Sequence, residues 1–452
     1  MNIIKKLLSD KDEKNLINNI LLAFVVKGLS MVVSLFSMPL YIKYFDDNTA
    51  LGFWYTILSM LTWISVCDLG LGNGLRNRLT EALALNDEQG GKRIVSSVYI
   101  IIAIIIVPIV IALNALVYFF DLNTFFNVPT SVVSEDALKL SICILLCGVG
   151  LSFVLKLISN VIYAIQKSSL NNVLTLISSV LPLVYIAIFK GKDTQSNLIV
   201  LSLIHAIAVN IPLFAASVIL FSGKTLRKYR PSLKAFDVNT AKGTLNFGFQ
   251  FFLAQIFFML LMSTNEIYIT RFFSADSVVD YSIYYRLFML IGSMLMVGLT
   301  PIWSKVTKDL AQKNYSKIQK TNKVLYAISF FTIILEFVII PFVPWLVKIW
   351  LRENAIAINF GVAAIFAAFG GLYILNVVLT TVANGIGNLK SQIIFYGIGA
   401  ILKVPIVLLF KLQYDHWIIV VAYNCIVLMS FGIYQIYWVE KEIKKLIKLE
   451  KQ

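Results

Sequence analysis

Three basic side chains, Lys27, Arg286 and Lys403, fall inside stretches otherwise apolar enough to cross a bilayer. A charge near the bilayer centre costs about 2.5–3.5 kcal/mol on insertion scales, so such residues face a wet cavity or a partner. Around the first, Lys27, Ser30, Ser34, Ser37 and Tyr41 recur at steps of three and four, which makes one polar helix face. Ser282, Arg286, Met289 and Ser293 repeat the pattern, as do Gln392, Tyr396, Gly399 and Lys403. A further run carries Tyr373, Asn376, Thr380 and Asn384. These four faces predict one aqueous cavity, with Lys27, Arg286 and Lys403 as its cations and Ser30, Ser34, Tyr396 and Asn376 among its polar walls. Cationic walls in low-dielectric surroundings favour an anionic ligand. Arg offers a fork to phosphate and Lys a point charge. The hydroxyls and amides beside them suit a hydroxyl-rich ligand, and the membrane adds an acyl chain. The predicted substrate is a lipid that bears phosphate and sugar.

The remaining charges divide by depth. Glu336 shares a face with Ser329 and Thr332 and reads as a proton carrier or as a buried acid kept neutral. Glu266, near the outer end of its run, has Arg271 as a candidate partner. Asp68 lies at the inner boundary, where it caps a helix or pairs with Arg76 or Arg78. These five residues (Glu266, Glu336, Asp68, Arg76 and Arg78) are the candidates for ion coupling or gating. Lys156, two turns from an inner end, is expected to reach the headgroups. His205, alone in an apolar run, is expected to be satisfied locally. Cys67, Cys143, Cys147 and Cys425 read as small buried hydrophobes, without partners at metal spacing.

The elements that must position these side chains are membrane helices. Of 452 residues, 59% are hydrophobic and 14% charged, where soluble domains carry about 25% charged residues. A spanning helix needs about 20 mostly apolar residues. Twelve runs qualify: 16–41, 50–70, 94–120, 137–163, 170–189, 198–221, 245–270, 280–301, 324–347, 356–383, 391–410 and 417–438. The segments between them alternate in charge. One set, which includes both ends of the chain, holds 27 of the 39 Lys and Arg residues, and the opposite set holds 7. The positive-inside rule therefore predicts that both termini are cytoplasmic. The net charge of +15 is mostly topology, and nucleic-acid binding is not expected. No connecting segment is long enough for an extramembrane catalytic domain, so the expected function is not enzymatic. The lead MNIIKKLLSDKDEKN does not read as a cleaved signal.

The chain also resembles itself at half its length. YIKYF at 41–45 aligns with YITRF at 268–272, and GLRNRLTEALA at 74–84 aligns with PIWSKVTKDLA at 301–311. Both pairs share an offset of 227, which sets Arg78 on Lys305 and Thr80 on Thr307. At an offset of 223, Lys167–Ser168 meets Lys390–Ser391 and Pro182 meets Pro405. An offset of six helices preserves orientation and predicts parallel repeats. The expected organisation is a six-helix lobe at 1–222, a linker at 223–244, a second lobe at 245–438 and a basic tail at 439–452. The substrate site is expected between the lobes. The glycine-rich DLGLGNGLRNR reads as an elbow in which Gly72 and Gly74 let the chain turn, with an intracellular gate as the alternative.

DLGLGNGLRNRLTEALA at 68–84, YSIYYRLFMLIGSMLMVGLTPIWS at 281–304 and NGIGNLKSQI at 384–393 resemble the bacterial polysaccharide transporter family. These are the Wzx-type repeat-unit or O-antigen flippases of the multidrug/oligosaccharidyl-lipid/polysaccharide superfamily, and the similarity runs from about 15 to 440. The resemblance implies an all-α integral membrane protein, with twelve helices in two six-helix lobes that form a V around a central cavity. It implies alternating access and movement of an undecaprenyl-pyrophosphate-linked oligosaccharide from the inner to the outer leaflet of the cytoplasmic membrane. It places cations on the first and eighth helices at the anionic head, where Lys27 and Arg286 stand here. It implies no cofactor, with proton or sodium gradients as candidate couplings, and makes a polysaccharide polymerase and chain-length machinery candidate partners. The rival within the superfamily is a cation-coupled multidrug exporter.

Overall fold

The computed structural model describes residues 11–45, 47–66, 70–126, 128–189, 193–274, 276–351 and 356–450. The described residues form helices joined by short turns. Ten helical segments are long and apolar enough to cross a membrane, and two shorter apolar helices, Ile17–Val33 and Thr49–Leu58, stand where the first two runs were expected. The boundaries follow local chemistry. Asp87 accepts from the N–H of Gly90 at 2.8 Å, Asp193 from Ser196 at 2.8 Å, and Asn359 from Gly361 at 2.8 Å. Each is an N-cap that satisfies an orphan donor of the first turn. The Ser196 N–H holds the Asp193 carboxyl below the usual carboxylate range.

The helices group into two compact units, 1–249 and 250–452. The first contains α1 (Lys11–Phe45), α2 (Asn48–Val66), α3 (Leu71–Ala84), α4 (Glu88–Val117), the short α5 (Leu122–Phe126), α6 (Glu135–Leu155), α7 (Leu157–Ala164), α8 (Ser168–Ile188) and α9 (Thr194–Ser222). Within it α6 packs along α9 and α1 along α8. One apolar cluster gathers Tyr44, Phe45, Trp54 and Leu138, and another gathers Leu75, Leu79, Val161 and Tyr229. The division falls inside α10 (Val238–Met262). The second unit continues with α11 (Asn265–Phe272), α12 (Asp276–Ala311), α13 (Tyr315–Ile339), α14 (Val343–Leu351), α15 (Phe360–Ile386), α16 (Lys390–Lys411) and α17 (Ile418–Glu450). Here α15 is central and packs on α12, α13 and α17. Phe366 stacks on Tyr284 at 5.3 Å, among Tyr281, Phe369 and Trp417. Large side chains such as Phe119, Ile219, Phe331 and Ile401 stay exposed, as lipid-facing surfaces require.

The repeat read from the sequence recurs in the backbone. Asn86 (φ 56°) and Lys313 (φ 58°), at the same offset of 227, both take the left-handed conformation after a helix. Asp87 N–H donates to Ala82 O at 2.9 Å, and Asn314 N–H to Asp309 O at 2.8 Å, so the same six-to-one closure ends both helices. Gln166 (φ 60°) and Gly387 (φ 85°) form a second left-handed pair, at an offset of 221, two less than the sequence alignment of this region. Lys167 N–H reaches Ile162 O at 3.0 Å, and Asn388 N–H reaches Ala383 O at 3.1 Å.

The glycine-rich stretch is corrected in detail. The turn belongs to Gly70, at φ 64° and ψ 0° before α3, a conformation that costs an L-residue roughly 1–2 kcal/mol. Gly72 and Gly74 are already helical. Their missing side chains admit neighbours instead. A Cβ on Gly72 would stand 2.3 Å from Asn160 Nδ2, and one on Gly74 would stand 3.1 Å from Thr244 O.

Candidate functional site

A cavity of about 640 Å³ lies within the first unit. Helix α1 presents Ser30, Ser37 and Tyr41 to it, three members of the predicted polar face. Helix α3 contributes Asn73, held close by the Gly72–Asn160 approach. Lys156, at the joint between α6 and α7, lines the cavity with Ser159, Asn160 and Tyr163. Helix α8 adds Asn171, Thr175 and Ser178, again at steps of four and three, and α9 adds His205.

The hydroxyls have a defined polarity. Ser30 donates to Val26 O at 2.9 Å, Thr175 to Asn171 O at 3.1 Å, and Ser178 to Leu174 O at 3.0 Å. With each proton engaged on its own helix, the lone pairs are left as acceptors for O–H donors of a ligand. Asn171 donates to the hydroxyl of Tyr163 at 2.6 Å, and the Arg76 guanidinium lies 5.1 Å from the Tyr163 ring centroid. His205 meets Trp54 edge-on at 5.7 Å. Among the described lining residues one is a lysine, one is a histidine and none is a carboxylate. No group of three or more His, Cys, Asp or Glu among the described residues is placed to hold a metal ion.

The other predicted site residues that the structure describes do not line this cavity. Lys27, on α1, and Arg286, on α12, are exposed. Lys403 differs from its expected solvated setting. It is 0% exposed, and its ammonium donates to Leu261 O, to Asn265 Oδ1 at 2.6 Å and to Thr264 Oγ1 at 3.3 Å. The reason is a break between α10 and α11, which turns oxygens toward α16. Tyr396 and Asn376 are likewise enclosed, at 2% and 4% exposure, and the Tyr396 hydroxyl donates to Asn376 Oδ1. They join α16 to α15 and form no open wall, as Gln392 does by donating to Asn384 Oδ1 at 2.8 Å.

Among the coupling and gating candidates, Glu266 is exposed on α11. Glu336 is 0% exposed with neither carboxyl oxygen hydrogen-bonded, and it sits where Gly370 leaves room on α15. Arg76 is buried under Tyr163, and Arg78 lies against Gly243. Lys305, its counterpart, pairs with Asp309 at 2.7 Å. Asp68 and the side chain of Ser34 lie outside the described residues. Lys156 and His205 are the wall residues that sequence reasoning set aside. The signal for their neighbours was the Asn171–Thr175–Ser178 spacing on the fifth span.

Solved structures share this architecture over almost the whole chain. A MATE transporter crystallised in the straight conformation superposes with a TM-score of 0.74 at 15% identity, covering 98% of each chain. The chain has the fold of the MOP-superfamily transporters. An outward-facing multidrug resistance MATE family transporter of that superfamily gives 0.69 at 14% identity, covering 95% of this chain and 96% of that one. A MOP superfamily transporter from Pyrococcus furiosus, whose binding pocket is described as reversed in polarity, gives 0.68 at 15% identity and covers 95% and 96%. A curated Yersinia pseudotuberculosis protein, "Putative O-antigen export protein", is 23% identical over 272 residues. That match covers 59% of this chain and spans 60% of the relative's length. No protein-family model matches. The superfamily resemblance read from the motifs therefore holds in the fold.

Proposed function

We propose that this MOP-fold transporter is a flippase for a lipid-linked, anionic oligosaccharide, of the undecaprenyl-pyrophosphate repeat-unit class used for O-antigen or another surface polysaccharide. The observation that carries the reading is the chemistry of the first-unit cavity: hydroxyl acceptors, Lys156 and His205, and no carboxylate among the described lining residues. Acceptor lone pairs suit sugar hydroxyls, and a lysine suits phosphate. A cavity built for cationic drugs would be expected to carry acids. The motif resemblance and the O-antigen export name of the Yersinia relative support the same class.

In this reading the glycan enters the protein while the polyprenyl tail stays in lipid. The exposed Lys27 and Arg286 meet the pyrophosphate, and alternating access carries the head across the bacterial cytoplasmic membrane. A proton or sodium gradient drives the cycle, and a polymerase with its chain-length machinery consumes the product. The protein moves its ligand and makes or breaks no bond.

The test is a strain that depends on this protein for its surface glycan. Depletion is expected to trap lipid-linked repeat units on the cytoplasmic leaflet and to leave resistance to cationic drugs unchanged. Normal surface glycan with new drug sensitivity would replace this reading with drug export.

A further inference from the structure

Inside the second unit the seventh span is broken. Helix α10 ends at Met262, α11 begins at Asn265, and Ser263 and Thr264 form a turn between them. Non-helical backbone at membrane depth must find partners within the protein. Here the partner is the ammonium of Lys403, from α16. Its three protons meet three oxygens of three kinds: the Leu261 carbonyl, the Asn265 amide oxygen at 2.6 Å and the Thr264 hydroxyl at 3.3 Å. The Tyr268 ring lies 5.1 Å from the nitrogen. Each oxygen is neutral, and the adjacent Glu266 is exposed and is not among the acceptors.

A second layer fixes the ligating amide. Asn424 of α17 donates to Asn265 Oδ1 at 2.9 Å, while Asn265 Nδ2 donates to the Tyr281 hydroxyl of α12 at 2.9 Å. This orients the amide oxygen toward Lys403. Asn265, Tyr281, Lys403 and Asn424 are all 2% exposed or less. Carbonyl, hydroxyl and amide oxygens are hard donors of the kind that hold small cations.

We propose that this oxygen cage is a monovalent-cation site whose resident cation is the protein's own Lys403 ammonium. Lys403 is thus a positioning residue. It ties α16 to the break in the seventh span, and this unit needs no free ion to hold the break closed. This role is independent of the ligand assigned to the first unit.

The test is thermal unfolding of the full-length protein in lipid nanodiscs, in chloride salts of sodium, potassium, choline and n-propylammonium at equal ionic strength. The wild-type midpoint is expected to be the same in all four. Lys403→Ala keeps Cβ and removes three carbons and the ammonium, which are the atoms of n-propylammonium. Its midpoint is expected to fall by several degrees in choline and to recover with n-propylammonium, while propanol, which has the carbons without the charge, restores nothing. Recovery with propanol, or no recovery with any of the cations, would overturn the proposal. Should Lys403→Ala fail to fold, Lys403→Met keeps the stem and removes the charge. A Met variant as stable as the wild type would also overturn it, and a lowered midpoint supports it.

Discussion

Thr80 and Thr307, 227 residues apart, use their hydroxyls to bridge the same two places in the two halves of the chain. Thr80 donates to Arg76 O on its own helix at 2.7 Å and reaches Ala164 O, at the end of α7, at 3.4 Å. Thr307 donates to Gly385 O, near the end of α15, at 2.9 Å and lies 3.4 Å from Trp303 O on its own helix. The bridge is one design tilted two ways, toward its own helix in the first half and across to its neighbour in the second.

That tilt makes the two sites separable. Thr307→Val removes the stronger interhelical bond and is expected to lower stability by about 1 kcal/mol, whereas Thr80→Val, whose interhelical contact is longer, should cost less. Because the two hydroxyls share no acceptor, the double variant should show the sum. Chemical or thermal unfolding in nanodiscs measures all three, and a larger loss for Thr80→Val would contradict the geometry.

Gly72 is predicted to be intolerant for a reason that can be relieved. Its Cβ would meet Asn160 Nδ2 at 2.3 Å, well inside contact distance. Gly72→Ala should lower expression and stability by about 1–3 kcal/mol, as overpacking does. Gly72→Ala combined with Asn160→Ala should recover most of that loss, because the clashing atoms are gone. The atoms in the way are the end of the Asn160 amide, so a silent Gly72→Ala would mean that this side chain swings aside into the cavity it lines.

Glu336 presents the opposite case, a buried acid that no hydrogen bond satisfies. Replacing an unsatisfied buried polar group with an apolar one of similar length relieves its desolvation. Glu336→Met is therefore expected to raise the unfolding midpoint, by about 1 kcal/mol of stability. If the variant is more stable yet loses surface glycan, the acid belongs to the transport cycle. A destabilised variant would show that the carboxyl is held by partners after all.

Legibility in the sequence followed the length scale of the physics. The spans were readable because each needs a long apolar run, and the repeat because Thr80 and Thr307 hold one register within matching motifs. Helix α1's face was readable from the 30–37–41 spacing, since three of its members do line the cavity. Lys403 was not. Its depth and face resembled those of a wet wall residue, and only the break at Ser263–Thr264 supplies the oxygens that enclose it. Lys156 was missed for the mirror-image reason. A position near a helix end suggested headgroups, but the joint between α6 and α7 brings that residue to the cavity.

A transporter of a glycan-bearing anionic lipid must show translocation itself when purified. In proteoliposomes that hold the purified protein and a lipid-linked oligosaccharide, periodate outside the vesicle oxidises only glycans on the outer leaflet. Wild-type protein is expected to expose the inner-leaflet pool to the reagent, and Lys156→Ala, incorporated equally, to do so at least several-fold more slowly. An inner-leaflet pool that stays protected with wild-type protein, while a cationic drug is transported by the same vesicles, would contradict it.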